Sequence, residues 1–271
     1  MSEKILFTDM DGTLLTSDKK VTETMRELLT KMVKAGNRLV LSSGRALNSI
    51  LKVALENKLL FPDTLIIAVN GNMVYDYDRR QYLINKTVPL DIVNGIIELA
   101  HKYGLHIQSY NDQYIVCEKE CPELDQYKKA TGMEAIITDD IAKTLEKPPC
   151  KLLAIDLKDR TRLTLLQKDV LERYGSTVTA IFSCNEYLEI FDKTAGKGSA
   201  VQFVCKQLNI PIANAVAVGD AENDITMLEA AGISAAMANA RPEVKKHADF
   251  VTQNDNNHDG LSEVILKYFD L

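Results

Sequence analysis

Two acidic clusters carry the chemistry that this sequence offers. The first, Asp9-Met10-Asp11-Gly12-Thr13-Leu14, directly follows an apolar run from Lys4 to Thr8. If that run is a strand, both carboxylates lie at its carboxyl end, where open α/β sheets place their sites, and Gly12 permits a sharp exit of the chain. Acids two residues apart repel each other unless a cation, a proton or a donor relieves them. The plainer reading of the pair is a solvated turn in which an Asp caps a helix. The second cluster, Gly219-Asp220-Ala221-Glu222-Asn223-Asp224, follows the apolar Val216-Ala217-Val218. Two acidic strand ends brought together make a hard-cation site. Mg²⁺, which takes one or two carboxylates with waters and substrate phosphate oxygens, suits this supply. Asn223 and Asp224 fit equally well as first-turn residues stabilised by a helix dipole.

Two smaller signals join them. Ser42-Ser43-Gly44-Arg45, after Leu39-Val40-Leu41, presents a hydroxyl and backbone N–H groups where a strand gives way to a helix, a ready place for a phosphate oxygen. Taken alone it is a capped helix. Lys197, in Ala195-Gly196-Lys197-Gly198-Ser199, opens a helix, where the dipole disfavours a cation. A nearby anion would remove that conflict; an exposed lysine is the simpler account.

These loops need a sheet to hold them. Thr22 to Lys34 carries Met25, Leu28, Leu29, Met32 and Val33 at helical spacing, with Gly36 as a stop. Arg38 to Leu41 and Thr64 to Val69 read as buried strands around a helix from Ala46 to Leu55. Alternation of this kind, with nearly continuous apolar strands, predicts an α/β fold with a Rossmann-like parallel sheet covered on both faces. Met73 to Tyr77 and Gln81 to Ile84 flank Asp78-Arg79-Arg80 like a hairpin, and Pro89 opens a helix. The order is then less regular, with strands at His106 to Tyr110, Tyr114 to Cys117, Lys151 to Leu157, Thr177 to Phe182 and Tyr187 to Phe191. The α/β rhythm returns with a helix from Lys197 to Leu208, a strand from Ala213 to Val218, a helix from Asn223 to Ala231 and a terminal helix from Leu261. The expected organisation is a discontinuous core of residues 1–84 and 188–271 with an inserted α+β cap domain over 85–187.

Composition excludes several classes. Of 271 residues, 46% are hydrophobic and 26% charged, enough for a sizeable core and unlike a disordered chain. The net charge of −6 and the lack of a Lys/Arg block argue against nucleic acid as a partner. No apolar run approaches the roughly 18 residues of a membrane helix, and the opening residues break any signal-peptide pattern. A cytoplasmic protein with no membrane partner is expected. Five cysteines without a CxxC pair and four unpaired histidines leave little material for disulfides, zinc or a Ser/His hydrolase. Any metal should be oxygen-ligated.

The four loops, as Asp-x-Asp-Gly-Thr-Leu, Ser-Gly-Arg, Lys-Gly-Ser-Ala and Gly-Asp-x-x-Asn-Asp in that order, resemble the haloacid dehalogenase-like phosphohydrolases. The nearest branch is the Cof-type, with a large type IIB cap inserted after the third strand. The resemblance continues through Ala236-Met237-Ala238-Asn239-Ala240 to Asp259-Gly260-Leu261; it covers the core well and the cap weakly. It implies that Asp9 is a nucleophile that becomes an aspartyl phosphate, and that Asp11 protonates the leaving oxygen and later activates water. It implies Mg²⁺ held by the Asp9 side chain, the Asp11 carbonyl and Asp220, with Asp224 nearby. Ser43 and Lys197 would bind phosphoryl oxygens, and Thr13, Gly44, Arg45 and Asn223 would complete the substrate loops. Thr is commoner than Ser before Gly-Arg, which favours Ser43 over Ser42 without removing the latter.

The implied activity is Mg²⁺-dependent hydrolysis of small phosphorylated metabolites, foremost sugar phosphates, with the cap closing to exclude water. A phosphomutase or phosphotransferase using the same aspartyl phosphate is the alternative within the chemistry. A phosphate-responsive regulatory module is the alternative outside it, although a receiver domain would leave more than half of the chain unexplained. The substrate and the oligomeric state are not encoded in these motifs. Asp255-Asn256-Asn257-His258-Asp259-Gly260 imitates the first half of an EF-hand loop but has Leu266 where a bidentate Glu is needed, so a polar turn before the last helix is expected. Gly196-Lys197 lacks the flanking glycine and hydroxyl of a P-loop. Tyr75, Tyr77, Tyr110 and Tyr114 could line a sugar-binding cap or simply pack there.

Overall fold

The structure, a computed structural model, describes residues 3–111 and 113–271. They form two compact units, one of residues up to Ile84 with Gly196–Leu271, the other of Asn85–Ala195. Among the described residues no helix is long and apolar enough to cross a membrane.

The first unit is built on an eight-stranded sheet in the order Phe250–Val251, Ile233–Ala236, Ala215–Gly219, Ile5–Asp9, Arg38–Ser42, Leu65–Ala68, Met73–Asp76, Gln81–Asn85. The first six run parallel, and Met73–Asp76 returns antiparallel to Leu65–Ala68. Ile5–Asp9 and Ala215–Gly219 are buried at every position, as a parallel sheet covered on both faces requires. In register, Ile5 faces Ala215, Thr8 faces Val218 and Asp9 faces Ser42. The carboxyl ends of three adjacent strands therefore finish side by side.

Helices close the faces. In Glu23–Lys34, Thr22 caps the first turn by accepting from the Met25 amide, and Met25, Leu29 and Met32 turn inward at helical spacing. Opposite lie Ala200, Val201, Val204 and Cys205 of the helix Lys197–Leu208, packed with Phe7, Val40, Ile67 and Ala217. Gly198 allows this helix to approach its neighbour Ile225–Ala230: a Cβ there would stand 2.2 Å from the Thr226 carbonyl oxygen. That close approach brings Lys197 towards Asp224. The expected helix from Asn223 is instead a short 3₁₀ turn, Glu222–Asp224, followed by Ile225–Ala230. Asp224 bends back on its own loop, which delays the α-helical start.

The second unit has its own six-stranded sheet, ordered Val178–Cys184, Tyr187–Asp192, Lys151–Ile155, His106–Tyr110, Ile115–Cys117, Ala135–Ile137. Side chains alternate across it. Ile107, Leu152, Ala154, Leu188 and Ile190 face the helices Leu90–Lys102 and Arg160–Tyr174. Tyr110, Cys117, Leu153 and Ile155 pack with Leu124 and Tyr127 of the helix Pro122–Thr131. Lys151 and Glu189 form a buried ion pair at 2.9 Å on that same side.

The return to the core, expected at residue 188, falls at Gly196. Tyr187–Asp192 is the middle strand between Val178–Cys184 and Lys151–Ile155, so pairing on both edges holds it in the second unit. Tyr75 and Tyr77 belong to the first unit, and Tyr75 packs edge-on against Tyr82. Tyr110 is a core residue beside Tyr127. All five cysteines are free thiols.

Candidate active site

Asp9 ends its strand buried, and its Oδ1 receives a hydrogen bond from Lys197 Nζ at 2.5 Å. The same ammonium donates to Asp224 Oδ1 at 2.6 Å. Lys197 is thus a fully buried cation at a helix start, and two carboxylates supply the anions that its position demands. Asp224 uses its other oxygen to accept the amides of Asp220 and Ala221, both at 3.0 Å, which fixes the loop after Ala215–Gly219. Asp220 is held by Thr13, whose hydroxyl donates to Oδ1 at 2.8 Å.

Gly12 makes that closure possible. Its φ of +85° is left-handed, and a Cβ would lie 2.5 Å from Asp220 Oδ2. Carboxylate oxygens of Asp9, Asp220 and Asp224 consequently all lie within 4.8 Å of one another.

Three carboxylates share this space with a single ammonium, and the electrostatics reflect it. Burial, then the Asp224 charge, raises the Asp9 carboxyl well above the usual range. The same two causes push Asp220 up to about 7. Burial opposes the Lys197 ammonium, but Asp224 and Asp9 outweigh it and hold its pKa above the ordinary value. The cluster carries more negative charge than one lysine offsets, and its donors are all oxygens. A hard divalent cation such as Mg²⁺ fits that donor set.

Asp11 is held differently. Arg45 grips it with two bonds, Nε to Oδ2 at 2.6 Å and one Nη to Oδ1 at 2.7 Å, and Lys19 Nζ adds a third at 2.7 Å. Burial works upward on this carboxyl, but the Arg45 bonds and charge, with Lys19, hold it down to about 2. Lys19 sits on a tight hairpin in which the Thr16 amide meets the Lys20 carbonyl and the Lys19 amide meets the Thr16 carbonyl.

The two serines are not equivalent. Ser43 Oγ accepts from the Arg45 amide at 3.2 Å, which leaves its own O–H to donate. Ser42 Oγ is buried without a partner, on the strand position paired with Asp9. Asn223 donates to Asn70 Oδ1 at 2.9 Å rather than into the carboxylate cluster.

Asp9, Thr13, Lys197, Asp220 and Asp224 therefore meet in one network, with Asp11 and Arg45 paired beside them. Sequence reasoning missed Lys19 and Asn70, and placed Asn239 in a matched segment without giving it a role. Asn239 donates to the Gly12 carbonyl at 2.8 Å. Lys19 and Asn70 have no spacing signal; they are brought in by left-handed turns, with φ of 60° and 54°.

Comparison with known proteins agrees in scale with this layout. Residues 6–265 match the haloacid dehalogenase-like hydrolase family. Phosphatase YwpJ of Bacillus subtilis is 28% identical, over 94% of this chain and 96% of its own. Pyridoxal phosphate phosphatase YbhA of Escherichia coli is 28% identical, over 99% of both chains. Among solved structures, a haloacid dehalogenase-like hydrolase from Bacteroides thetaiotaomicron superposes with a TM-score of 0.89 at 27% identity, over 99% of this chain and 100% of that one.

Proposed function

Because this chain belongs to the haloacid dehalogenase-like hydrolases, we propose that it is a Mg²⁺-dependent phosphatase that hydrolyses small phosphorylated metabolites, sugar phosphates foremost, through an aspartyl phosphate. The observation that carries this reading is the convergence of Asp9, Asp220 and Asp224 oxygens within 4.8 Å, with Lys197 bonded to Asp9.

In the proposed reaction an Asp9 oxygen attacks phosphorus as the ester P–O bond breaks, and the departing oxygen takes a proton from Asp11. Water then attacks the aspartyl phosphate, Asp11 accepts its proton, and inorganic phosphate leaves with Asp9 restored. Splitting the displacement in two gives each half a positioned nucleophile and one group to handle the proton in both directions. Asp9, Asp220 and the Asp11 carbonyl would hold Mg²⁺, with Asp224 nearby, and the ion would supply charge neutralisation at the phosphoryl oxygens. Lys197 adds a buried positive charge beside Asp9, and the Ser43 hydroxyl, whose oxygen already accepts the Arg45 amide, offers its O–H to a phosphoryl oxygen. The acid role requires Arg45 and Lys19 to loosen their hold on Asp11. The phosphoryl oxygens of a substrate are competing anions for both cations, so substrate arrival and release of Asp11 are coupled in this scheme.

The E. coli relative named for pyridoxal phosphate supports a small phosphorylated substrate but does not single out sugars. The test is release of phosphate from a panel of hexose phosphates, pentose phosphates, nucleotides and pyridoxal phosphate, with Mg²⁺ and again after exhaustive chelation. Hydrolysis that disappears with chelation and returns with Mg²⁺ is expected. Undiminished rates without a divalent ion would overturn the metal assignment. An isomerised sugar phosphate in place of free phosphate would turn the reading to a mutase.

A further inference from the structure

The polar segment Asp255–Asp259 resembles part of a calcium loop in sequence, yet in the structure its side chains serve the chain leaving Asp9. Asn256 Nδ2 donates to the Leu15 carbonyl at 2.8 Å, and Asn257 Oδ1 accepts the Ser17 amide at 2.8 Å. Thr22 Oγ1 donates to Asp259 Oδ1 at 2.6 Å. Asn239, from the loop after Ile233–Ala236, donates to the Gly12 carbonyl and accepts the Asn256 amide at 3.2 Å. Three asparagine side chains, remote in sequence, thus hold backbone groups of residues 12, 15 and 17.

We infer that Asn239 and Asn256 are positioning residues for the reaction, forming a strap that fixes the Gly12–Ser17 backbone so that Thr13 and the Asp11 carbonyl stay in register with Asp220. The inference rests on the phosphatase reading above and deepens it. A closed circuit of bonds supports it. Thr13 holds Asp220; the carbonyl of the adjacent Gly219 accepts the Met237 amide at 3.1 Å; two residues on, Asn239 returns to Gly12, the neighbour of Thr13. The link at residue 238 is rigid, because its amide donates to Thr252 Oγ1 at 2.8 Å and its carbonyl accepts Lys245 Nζ at 2.6 Å. Thr252 in turn donates to the Asn254 carbonyl at 2.7 Å, and Glu263 of the last helix binds the Gln253 and Asn254 amides at 2.9 and 2.8 Å.

Gly12 has no side chain to anchor it and adopts a left-handed φ. With an unrestrained carbonyl its peptide could rotate, carrying Thr13 away from Asp220 and tilting the Asp11 carbonyl. Displacements of that size reduce turnover without altering the groups that take part in it.

Asn239→Asp keeps the side-chain shape but sets an acceptor against the Gly12 carbonyl. Asn256→Ala removes the donor to Leu15 and tests the same strap from its other end. Hydrogen exchange of the segment 10–18 is measured in the metal-free proteins, Mg²⁺ binding by calorimetry, and kcat and KM with para-nitrophenyl phosphate. Both variants should exchange this segment faster, bind Mg²⁺ more weakly and lose about ten- to a hundredfold in kcat with KM unchanged. Their unfolding transitions should stay cooperative. Exchange equal to the parent, or a lowered melting temperature with kcat per folded molecule unchanged, would overturn the strap. Should the parent hydrolyse no phosphate ester, the phosphatase reading falls, while exchange and Mg²⁺ binding still decide the strap.

Discussion

The ammonium of Lys197 lies 2.5 Å from the carboxylate of Asp9, although 188 positions separate them in the chain. Both groups are buried, so each depends on the other for its charge. Replacing Lys197 with Met leaves Asp9, Asp220 and Asp224 with no internal counter-charge. Loss of a partner from a buried pair is expected to cost about 3–5 kcal/mol. Urea unfolding of metal-free Lys197→Met should register that loss, with part of it recovered in Mg²⁺. Unchanged stability would mean that the pair does not hold the site together.

Asp9→Asn should separate catalysis from stability. The amide cannot serve as the nucleophile, so steady-state phosphate release should vanish. Its neutral side chain removes the burial cost and the Asp224 repulsion that together raise Asp9, while Lys197 keeps Asp224 as its counter-ion. The metal-free variant should therefore unfold no more easily than the parent. Residual turnover in a clean preparation would refute the nucleophile assignment.

Ser43 and Ser42 make different predictions. Ser43→Ala loses the cap on the Arg45 amide and the hydroxyl offered to phosphate, and kcat/KM should fall by about tenfold or more. Ser42→Ala deletes a buried hydroxyl that has no partner, so stability should hold or rise. The reverse order of activity loss would make Ser42 the phosphate-binding hydroxyl.

Gly12→Ala puts a methyl 2.5 Å from an Asp220 oxygen at a φ that alanine rarely adopts. Destabilisation of about 1–3 kcal/mol is expected, with a higher Mg²⁺ concentration needed for half-maximal activity. Thermal melts and Mg²⁺ titrations read the two effects separately. If both match the parent, the contact does not constrain Asp220.

His106 gives the second unit a pH dependence. Burial lowers its pKa, and its ring nitrogens lie against Gln108 Oε1 at 3.0 Å and Cys121 Sγ at 3.2 Å. The neutral ring is the folded form. Its contribution is complete above the unfolded value of about 6.5 and declines as pH falls through the lower folded value. Urea midpoints taken from pH 7.5 to 5 should drop on the acid side, and His106→Gln should flatten that drop. An equal slope in the variant would place the dependence elsewhere.

Much of the site was legible because its signals are local. An apolar run stopping at Asp9, another at Gly219, and a lysine placed against the dipole of its helix each show in a few consecutive residues. Ordering these loops along one sheet brought them together. Contacts made across long separations by polar side chains left a weaker mark: Lys19 looks like an ordinary surface residue, and Asn239 stood in a matched segment without a role. The Tyr187 to Phe191 strand reads as one of the middle section, yet the expected boundary falls at its start, at residue 188; pairing on both edges of Tyr187–Asp192 carries the second unit on to Ala195. In the second unit, the helix Pro122–Thr131 buries only Leu124 and Tyr127, too few for a visible periodicity.

The place of Ile5–Asp9, between Arg38–Ser42 and Ala215–Gly219, sets a schedule for the growing polypeptide. One neighbour is translated almost at once; the other follows only after the whole insertion, roughly 10–40 s later at ordinary elongation rates. Throughout that interval a strand that is buried at every position in the finished fold has an open edge, the feature by which nascent chains adhere to one another. Yield from rapid overexpression should therefore depend on how well chaperones shield Ile5–Asp9 until Ala215–Gly219 has emerged.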